Sequence, residues 1–226
     1  SVSNPELIAN NHKSFKISLN FSQNSINSNI YIEKSLNSSK CLYNNKKIAK
    51  SALNLNYPCY SLVFGFNNIL LNDSSYRRDF IDSGLFHVEP GSHKLLSLFS
   101  KSLKQRNYLL KTKKVSNINF WTNELILANN KLHDARLKYF HLLNTEFNKI
   151  LDSIRIDMPT LYDDISTINM TYKKGWLENY SDVLSQNFDK DLAVGYTSAG
   201  THRSDIEVLS KSKLVKESGS MSTLVL

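Results

Sequence analysis

Three short clusters hold the residues whose types and spacing suit chemistry beyond packing. In Tyr76-Arg77-Arg78-Asp79-Phe80-Ile81-Asp82, two guanidinium groups stand beside two carboxylates. That arrangement serves either an ion-paired helix start or a contact to a phosphate group. Around Lys104-Gln105-Arg106-Asn107, the side chains of Lys101, Lys111, Lys113 and Lys114 add positive charge of the kind that neutralises a nucleic-acid backbone and releases its counterions. A solvated helix face accounts for the same run equally well. The third cluster, Gly195-Tyr196-Thr197-Ser198-Ala199-Gly200-Thr201-His202-Arg203-Ser204-Asp205, joins two glycines to a His-Arg-x-Asp sequence. It reads as a tightly built loop between strands, and its residue chemistry leaves turn, phosphate site and interface open.

Other chemistries lack the spacing they need. No G-x-x-x-x-G-K-[ST] run occurs, so a nucleotide phosphate cradle is not complete within these 226 residues. His12, His87, His93, His133, His141 and His202 show neither H-E-x-x-H nor H-x-H spacing and read as surface or packing residues rather than metal ligands. No G-x-S-x-G elbow accompanies the many serines, which leaves a hydrolase triad without support. Cys41 and Cys59 make neither a disulfide framework nor a zinc site and are expected as reduced, partly buried thiols.

The elements that must position these clusters follow from the apolar pattern. Phe15, Ile17, Leu19 and Phe21 alternate with Lys16, Ser18 and Asn20, which predicts a strand with one buried face. Further strands are expected at 29–33, at 40–43 with Asn44-Asn45 as a turn, and at 60–64 after Pro58. The Ser/Asn-rich stretches 22–29 and 36–39 read as exposed loops. From Tyr76 to about Ile156, Leu95, Phe99, Leu103, Leu109 and Leu110 fall at helical spacing, as do Leu125, Leu132, Ala135, Tyr139, Leu142, Leu143, Phe147, Ile150 and Leu151. Two long helices follow, turning back on each other at the polar stretch 111–117 as an antiparallel pair. After Pro159, strand-like runs at 165–172, 192–197 and 206–209 flank a helix-like segment at 179–188. The order predicts a β-rich part over 1–75, a helical lobe over 76–158 and a return to the first body over 159–226, as an insertion into an α/β head gives. Trp176, Phe188 and Tyr196, each within an apolar run, are expected to be largely buried where head and lobe meet.

Composition narrows the class. Lys and Arg number 28 against 20 Asp and Glu, a formal charge of +8, which invites a polyanionic partner. With 41% hydrophobic and 21% charged residues the chain is not of the disordered class, and 7 Gly and 4 Pro exclude fibrous repeats. No apolar stretch is long enough for a membrane span and the first residues lack a signal peptide's apolar centre, so a cytoplasmic location is expected. An opening at Ser1 without methionine and a close in the apolar run Leu224-Val225-Leu226 predict an internal piece of a longer protein.

Taken in order, the clusters resemble the RecF family of bacterial recombination mediators, ATP-binding-cassette-like ATPases related to chromosome-organising and repair proteins. The segment from Tyr76 through Arg77, Arg78, Phe80, Asp82, Phe86, His87 and Glu89 to Pro90 is similar to the family's R-R-x-F-L-D-x-x-x-F-H-x-E-P run, and Leu103-Lys104-Gln105-Arg106-Asn107 with Leu109-Leu110 to L-K-Q-R-N-x-x-L. Gly175-Trp176 and Asn187-Phe188-Asp189-Lys190-Asp191 fall where the family has G-W and N-x-x-R-D. Gly195-Tyr196-Thr197 with Gly200, His202, Arg203 and Asp205 resembles G-Y-T-x-x-G-P-H-R-A-D. Thr201 stands in place of the family's usual Pro. Ser220-Met221-Ser222-Thr223 lies where the family carries its S-R-G-Q signature, keeping the leading Ser220 but replacing Gly by Ser222 and Gln by Thr223. An alignment shifted by two positions would instead set Ser218-Gly219-Ser220 there.

The resemblance implies an α/β fold: an incomplete ATP-binding-cassette P-loop ATPase head with an inserted antiparallel helical lobe. It implies ATP and Mg2+ as cofactors of the longer protein, with Ser220 and Ser222 reaching the nucleotide of an opposite protomer in an ATP-dependent homodimer. It further implies duplex or gapped DNA as a partner, a RecR-like mediator, and loading of a RecA-like recombinase in the SOS response. The phosphate loop would lie before Ser1 and the acidic metal-binding strand after Leu226, so residues 1–226 alone are expected neither to bind nor to hydrolyse ATP. DNA contact is expected from Lys101, Lys104, Lys111, Lys113 and Lys114, whereas Arg77 and Arg78, beside carboxylates, are expected to serve structure. A non-catalytic DNA-bridging scaffold with a decayed nucleotide switch is the alternative that Ser222-Thr223 favours. A basic RNA-associated structural protein accounts for the charge but not for the ordered clusters.

Overall fold

The alternation that begins at Phe15 gives a strand, β1 (Ser14–Gln23), in a computed structural model that describes residues 7–23, 25–57, 72–159, 166–210 and 213–214. These residues fall in two compact units, Ser1–Tyr60 and Ser61–Leu226. In the first, β1, β2 (Ile26–Ser35), β3 (Ser39–Tyr43) and β4 (Lys46–Lys47) form an antiparallel sheet in chain order. Asn44 and Asn45 link β3 to β4 with φ of 46° and 64°, the twisted hairpin geometry that Asn tolerates better than most residues. Ile17 pairs with Ile32, and Ile32 with Cys41. On this face α1 (Lys50–Asn56) seats Leu53 in a small core with Ile30 and the free thiol of Cys41.

Two expectations fail in this unit. Ile17 and Leu19 are each 53% exposed, so the apolar face of β1 is not buried along its length. β1 is an edge strand, and the 7 residues of α1 pack over β2 and β3 instead. Within the loop expected at 22–29, residues 22–23 and 26–29 are paired strand, with Ser22 opposite Asn27 and Phe21 opposite Ser28. Polar composition marks solvent exposure, which an edge hairpin shares with a loop. Cys59 and the strand expected at 60–64 lie outside the described residues.

The second unit opens with α2 (Ser74–Val88), whose N-cap Asp73 accepts hydrogen bonds from the Ser75 and Tyr76 amides. After Pro90 and Gly91 come α3 (Ser92–Thr112) and α4 (Ile118–Asp157), separated by a left-handed Lys113 and one 3-10 turn at Val115–Asn117. The antiparallel pair is therefore present where the polar stretch placed it, with α2 as a third helix that the apolar spacing did not resolve. At 40 residues α4 is about 60 Å long. Its Leu125, Ala128 and Leu132 pack with Phe99 of α3 and Leu85 of α2, and all are at most 6% exposed.

The chain then forms β5 (Ile168–Lys173), α5 (Tyr180–Gln186), α6 (Phe188–Val194), β6 (Asp205–Ser210) and β7 (Lys213–Leu214). The three strands make an antiparallel sheet in that order, with Tyr172 opposite Ile206. Ile206 packs with Ile81 of α2 and Phe140 of α4, so sheet and helices share a core. Tyr180 and Leu184 of α5 join the larger cluster. The strand expected at 192–197 is a correction: residues 192–194 end α6, and Gly195 closes it with φ of 79°. A three-residue apolar run fits strand or helix, and the left-handed glycine after it decides for a helix end.

Candidate functional site

Three arginine–aspartate pairs tie the loop and helices of the second unit together. Arg77 of α2 grips Asp205 at the start of β6 with two parallel bonds, Nε to Oδ1 at 2.6 Å and Nη2 to Oδ2 at 2.9 Å. Arg136 of α4 holds Asp82 of α2 in the same bidentate manner, both at 2.7 Å, and its Nη1 donates to the Thr201 carbonyl. Arg106 of α3 donates from Nη1 to Asp191 Oδ2 at 2.8 Å and to Thr197 Oγ1 at 2.6 Å, and from Nε to Thr122. The two bidentate forks, at Arg77 and Arg136, fix orientation as well as distance, which suits a loop that must hold one shape.

The loop between α6 and β6 is built to that frame. Thr197 donates through its amide and its hydroxyl to Asn107 Oδ1, while the Ser198 amide donates to Asp191 Oδ1. Asn129 of α4 accepts from the Thr201 amide, and the buried Tyr180 hydroxyl donates to the Ala199 carbonyl. Gly200 takes φ of 134°, and a Cβ there would stand 2.6 Å from the Tyr180 hydroxyl. Gly175 faces the same turn: a Cβ would lie 2.6 Å from the Arg203 carbonyl carbon and from the Gly200 oxygen. His202 points inward, its Nε2 3.0 Å from the Thr197 carbonyl, and burial pulls its pKa down to about 4. A neutral ring held this way is part of the loop's packing.

The family-motif residues thus fall into different roles. Arg77, Asp82, Arg106, Gly200, His202 and Asp205 converge on one network. Arg78, half-buried, donates to the Ser204 carbonyl at 2.9 Å, and burial followed by the neighbouring Arg136 lowers its pKa. His87 stands at the end of α2 with its ring edge-on to Phe86, away from any metal-binding group among the described residues. Gln105 is half-buried on α3. Ser220 and Ser222 lie outside the described residues. The network also uses Arg136 and Asn129, which sequence reasoning left unassigned. Their signal was two polar residues interrupting the apolar stripe of α4 between Leu125 and Phe140.

Lys101, Lys104 and Lys111 lie on the solvent side of α3, with Lys113 and Lys114 in the turn that follows, and all five are exposed. Lys101 reaches over the Trp121 ring, 5.8 Å from its centroid. Of the aromatic trio expected to be largely buried, Trp176 and Phe188 are partly buried, Trp176 against the main core, whereas Tyr196 is 45% exposed. Trp176 packs its ring against His133 and Tyr180, whereas Tyr196 lies at the surface with the Arg203 guanidinium 5.7 Å from its ring centre. Its neighbours Thr197 and Gly195, not its ring, anchor the loop.

The chain resembles proteins of known role. It is 32% identical over 145 residues to the DNA replication and repair protein RecF of Nitrosococcus oceani, covering 63% of this chain and 39% of that protein. It is 34% identical over 151 residues to the RecF of Pseudoalteromonas translucida, covering 65% of this chain and 38% of that one. The chain thus spans about two fifths of the length of the curated relatives it matches. No family model matches it. Among solved structures, the recombination mediator protein RecF-ATP in the RecFOR pathway superposes with a TM-score of 0.78 at 18% identity, over 99% of this chain and 62% of that one. RecF-ATPrS of the same pathway gives 0.75 at 17%, over 99% and 63%. The chain is thus similar in sequence to RecF proteins over nearly two thirds of its length and shares the fold of the RecF-ATP structure over almost all of it.

Proposed function

We propose that the protein of which this chain is the described part is a DNA-binding ATPase of recombinational repair, which dimerises with ATP and helps place a RecA-like recombinase on gapped DNA together with a RecR-like mediator. The observation that carries the DNA half is the set of exposed lysines on α3 and its turn, opposite the face that α3 buries, in a chain of net charge +8 that is similar to RecF proteins. Arg106 supports this reading by fastening that helix to Asp191 of α6, Thr122 of α4 and Thr197 of the loop before β6, a rigid base for a charged surface.

The described residues do not themselves fit ATP. Gly195 and Gly200 are used in a helix end and a packed turn, and a Cβ at Gly200 would meet Tyr180, so neither forms an open phosphate cradle. Nucleotide and Mg2+ binding is therefore assigned to other parts of the protein, and no step through them is derived from this chain. Residues 1–226 alone are expected to bind no ATP by calorimetry, and micromolar binding would show that assignment wrong. The full-length protein is expected to hydrolyse ATP faster when DNA is added. Absence of nucleotide binding by that protein would favour the second reading, a DNA-bridging scaffold, to which Ser222-Thr223 in the signature position already points.

A further inference from the structure

Three observations meet on the outer side of α3. Lys101, Lys104, Tyr108 and Lys111 follow one another at steps of three and four residues and so form one stripe. It runs opposite the buried stripe of Phe99, Ser102, Arg106 and Leu110, and Tyr108 within it is 56% exposed. Among the described residues no carboxylate forms an ion pair with these lysines.

The loop after α6 lies alongside the same stripe. A Cβ on Gly195 would stand 3.4 Å from the Lys111 Cα, and Thr197 bonds to Asn107 at 2.8 and 2.7 Å. Tyr196 is held between these two anchors, beside the last turns of α3, with its ring at the surface and Arg203 against it. Arg203 in turn has no aspartate left to pair with in its network, since Asp205 is taken by Arg77, Asp191 by Arg106 and Asp82 by Arg136.

Two exposed phenol rings interleaved with four cations match a flexible chain of planar rings joined by anions. In a duplex the base faces are already stacked on one another, so a duplex would use only the cations. An unpaired strand offers both groups, and each ring gives its bases a face to stack on. We propose that the α3 stripe and the Tyr196–Arg203 pair form a track for single-stranded DNA. Bases stack on Tyr108 and Tyr196, and Lys104, Lys111 and Arg203 neutralise the phosphates between them. This deepens the DNA-binding reading given above and rests on it.

The test is binding of the full-length protein to a fluorescein-labelled oligothymidylate and to a blunt duplex of equal length, for wild type, Tyr108→Ala, Tyr196→Ala and the two Tyr→Phe variants. Each alanine variant is expected to weaken single-strand binding about 5- to 150-fold, the effect of one lost base stack, and to leave duplex binding unchanged. The phenylalanine variants keep a ring and are expected to bind as wild type does. Both tyrosines are exposed and their hydroxyls hold no part of the network, so unchanged circular dichroism and urea midpoints are expected throughout. Alanine variants that bind single strands as wild type does, or that lose single strand and duplex alike, overturn the track and leave the DNA-binding reading standing. A wild-type protein that binds neither DNA overturns both.

Discussion

Arg106 and Asp191, separated by 85 positions, meet at 2.8 Å with neither side chain exposed to solvent. Removing two charges from water costs several kcal/mol each, and only a close pair with further hydrogen bonds offsets that cost. Here Asp191 also accepts from the Ser198 amide and Arg106 also donates to Thr122 and Thr197. The pair is therefore a specific fastening between α3, α6 and the loop.

Breaking one side of this pair leaves a buried charge without its partner. Asp191→Asn and Arg106→Met are each expected to destabilise the protein by about 3–5 kcal/mol. The double variant Arg106→Met with Asp191→Leu removes both charges and is expected to recover most of that loss. Urea unfolding of all three measures it, and a double variant as unstable as the sum of the singles would contradict the account.

Two glycines with nearly equal φ separate strain from crowding. Gly91 and Gly175 have φ of +87° and +85°, but a Cβ at Gly91 meets nothing within 4 Å whereas one at Gly175 meets backbone at 2.6 Å. Gly91→Ala is expected to cost about 1 kcal/mol from the left-handed conformation alone. Gly175→Ala is expected to cost clearly more, because the atoms in its way belong to the turn that carries Arg203. Equal unfolding midpoints for the two variants would refute this.

Acid should loosen the same loop. With a folded pKa of about 4 against an ordinary 6.5, His202 binds a proton more readily in the unfolded chain. Stability from its burial is fully present above pH 6.5 and is lost as pH falls toward 4, by up to about 1.4 kcal/mol per pH unit. His133, lowered by burial as well, acts in the same direction. Unfolding measured at pH 7, 6 and 5 is expected to show this decline, and His202→Gln is expected to flatten it, leaving the smaller slope of His133.

The lysines at the end of α3 and in the turn after it make a further prediction. Neutralising Lys111, Lys113 and Lys114 together is expected to reduce the slope of log affinity for DNA against log salt by up to roughly three, one per lost phosphate contact. Binding by the full-length protein across a salt series, with nucleotide present, measures it. An unchanged slope and affinity would make this turn a solvated connection only.

How much of this was legible in the sequence differs by element. The α3–α4 pair could be read because its apolar residues repeat at helical spacing for many turns around a polar break. The two strands of the edge hairpin could be read as well, but its tip could not, since Ser and Asn in an exposed strand look like Ser and Asn in a loop. The fate of residues 192–194 hung on one glycine's conformation, and Tyr196 was misplaced because an apolar neighbourhood in sequence says nothing of which side a short loop turns outward. Arg77 with Asp205 combined residues 128 positions apart, a pairing that no local pattern discloses.

The long reach of these pairs also fixes an order of events during synthesis. Arg77 and Arg106 leave the ribosome long before Asp205 and Asp191, while Arg136 finds Asp82 already made. The nascent lobe can therefore close α4 onto α2 early, but it carries one arginine at the heart of α3 without a counter-charge until α6 emerges. During that interval the apolar seam of α3, α4 and α2 can already form, and the fastening at Arg106 closes only once α6 and the loop through Thr197 have been made.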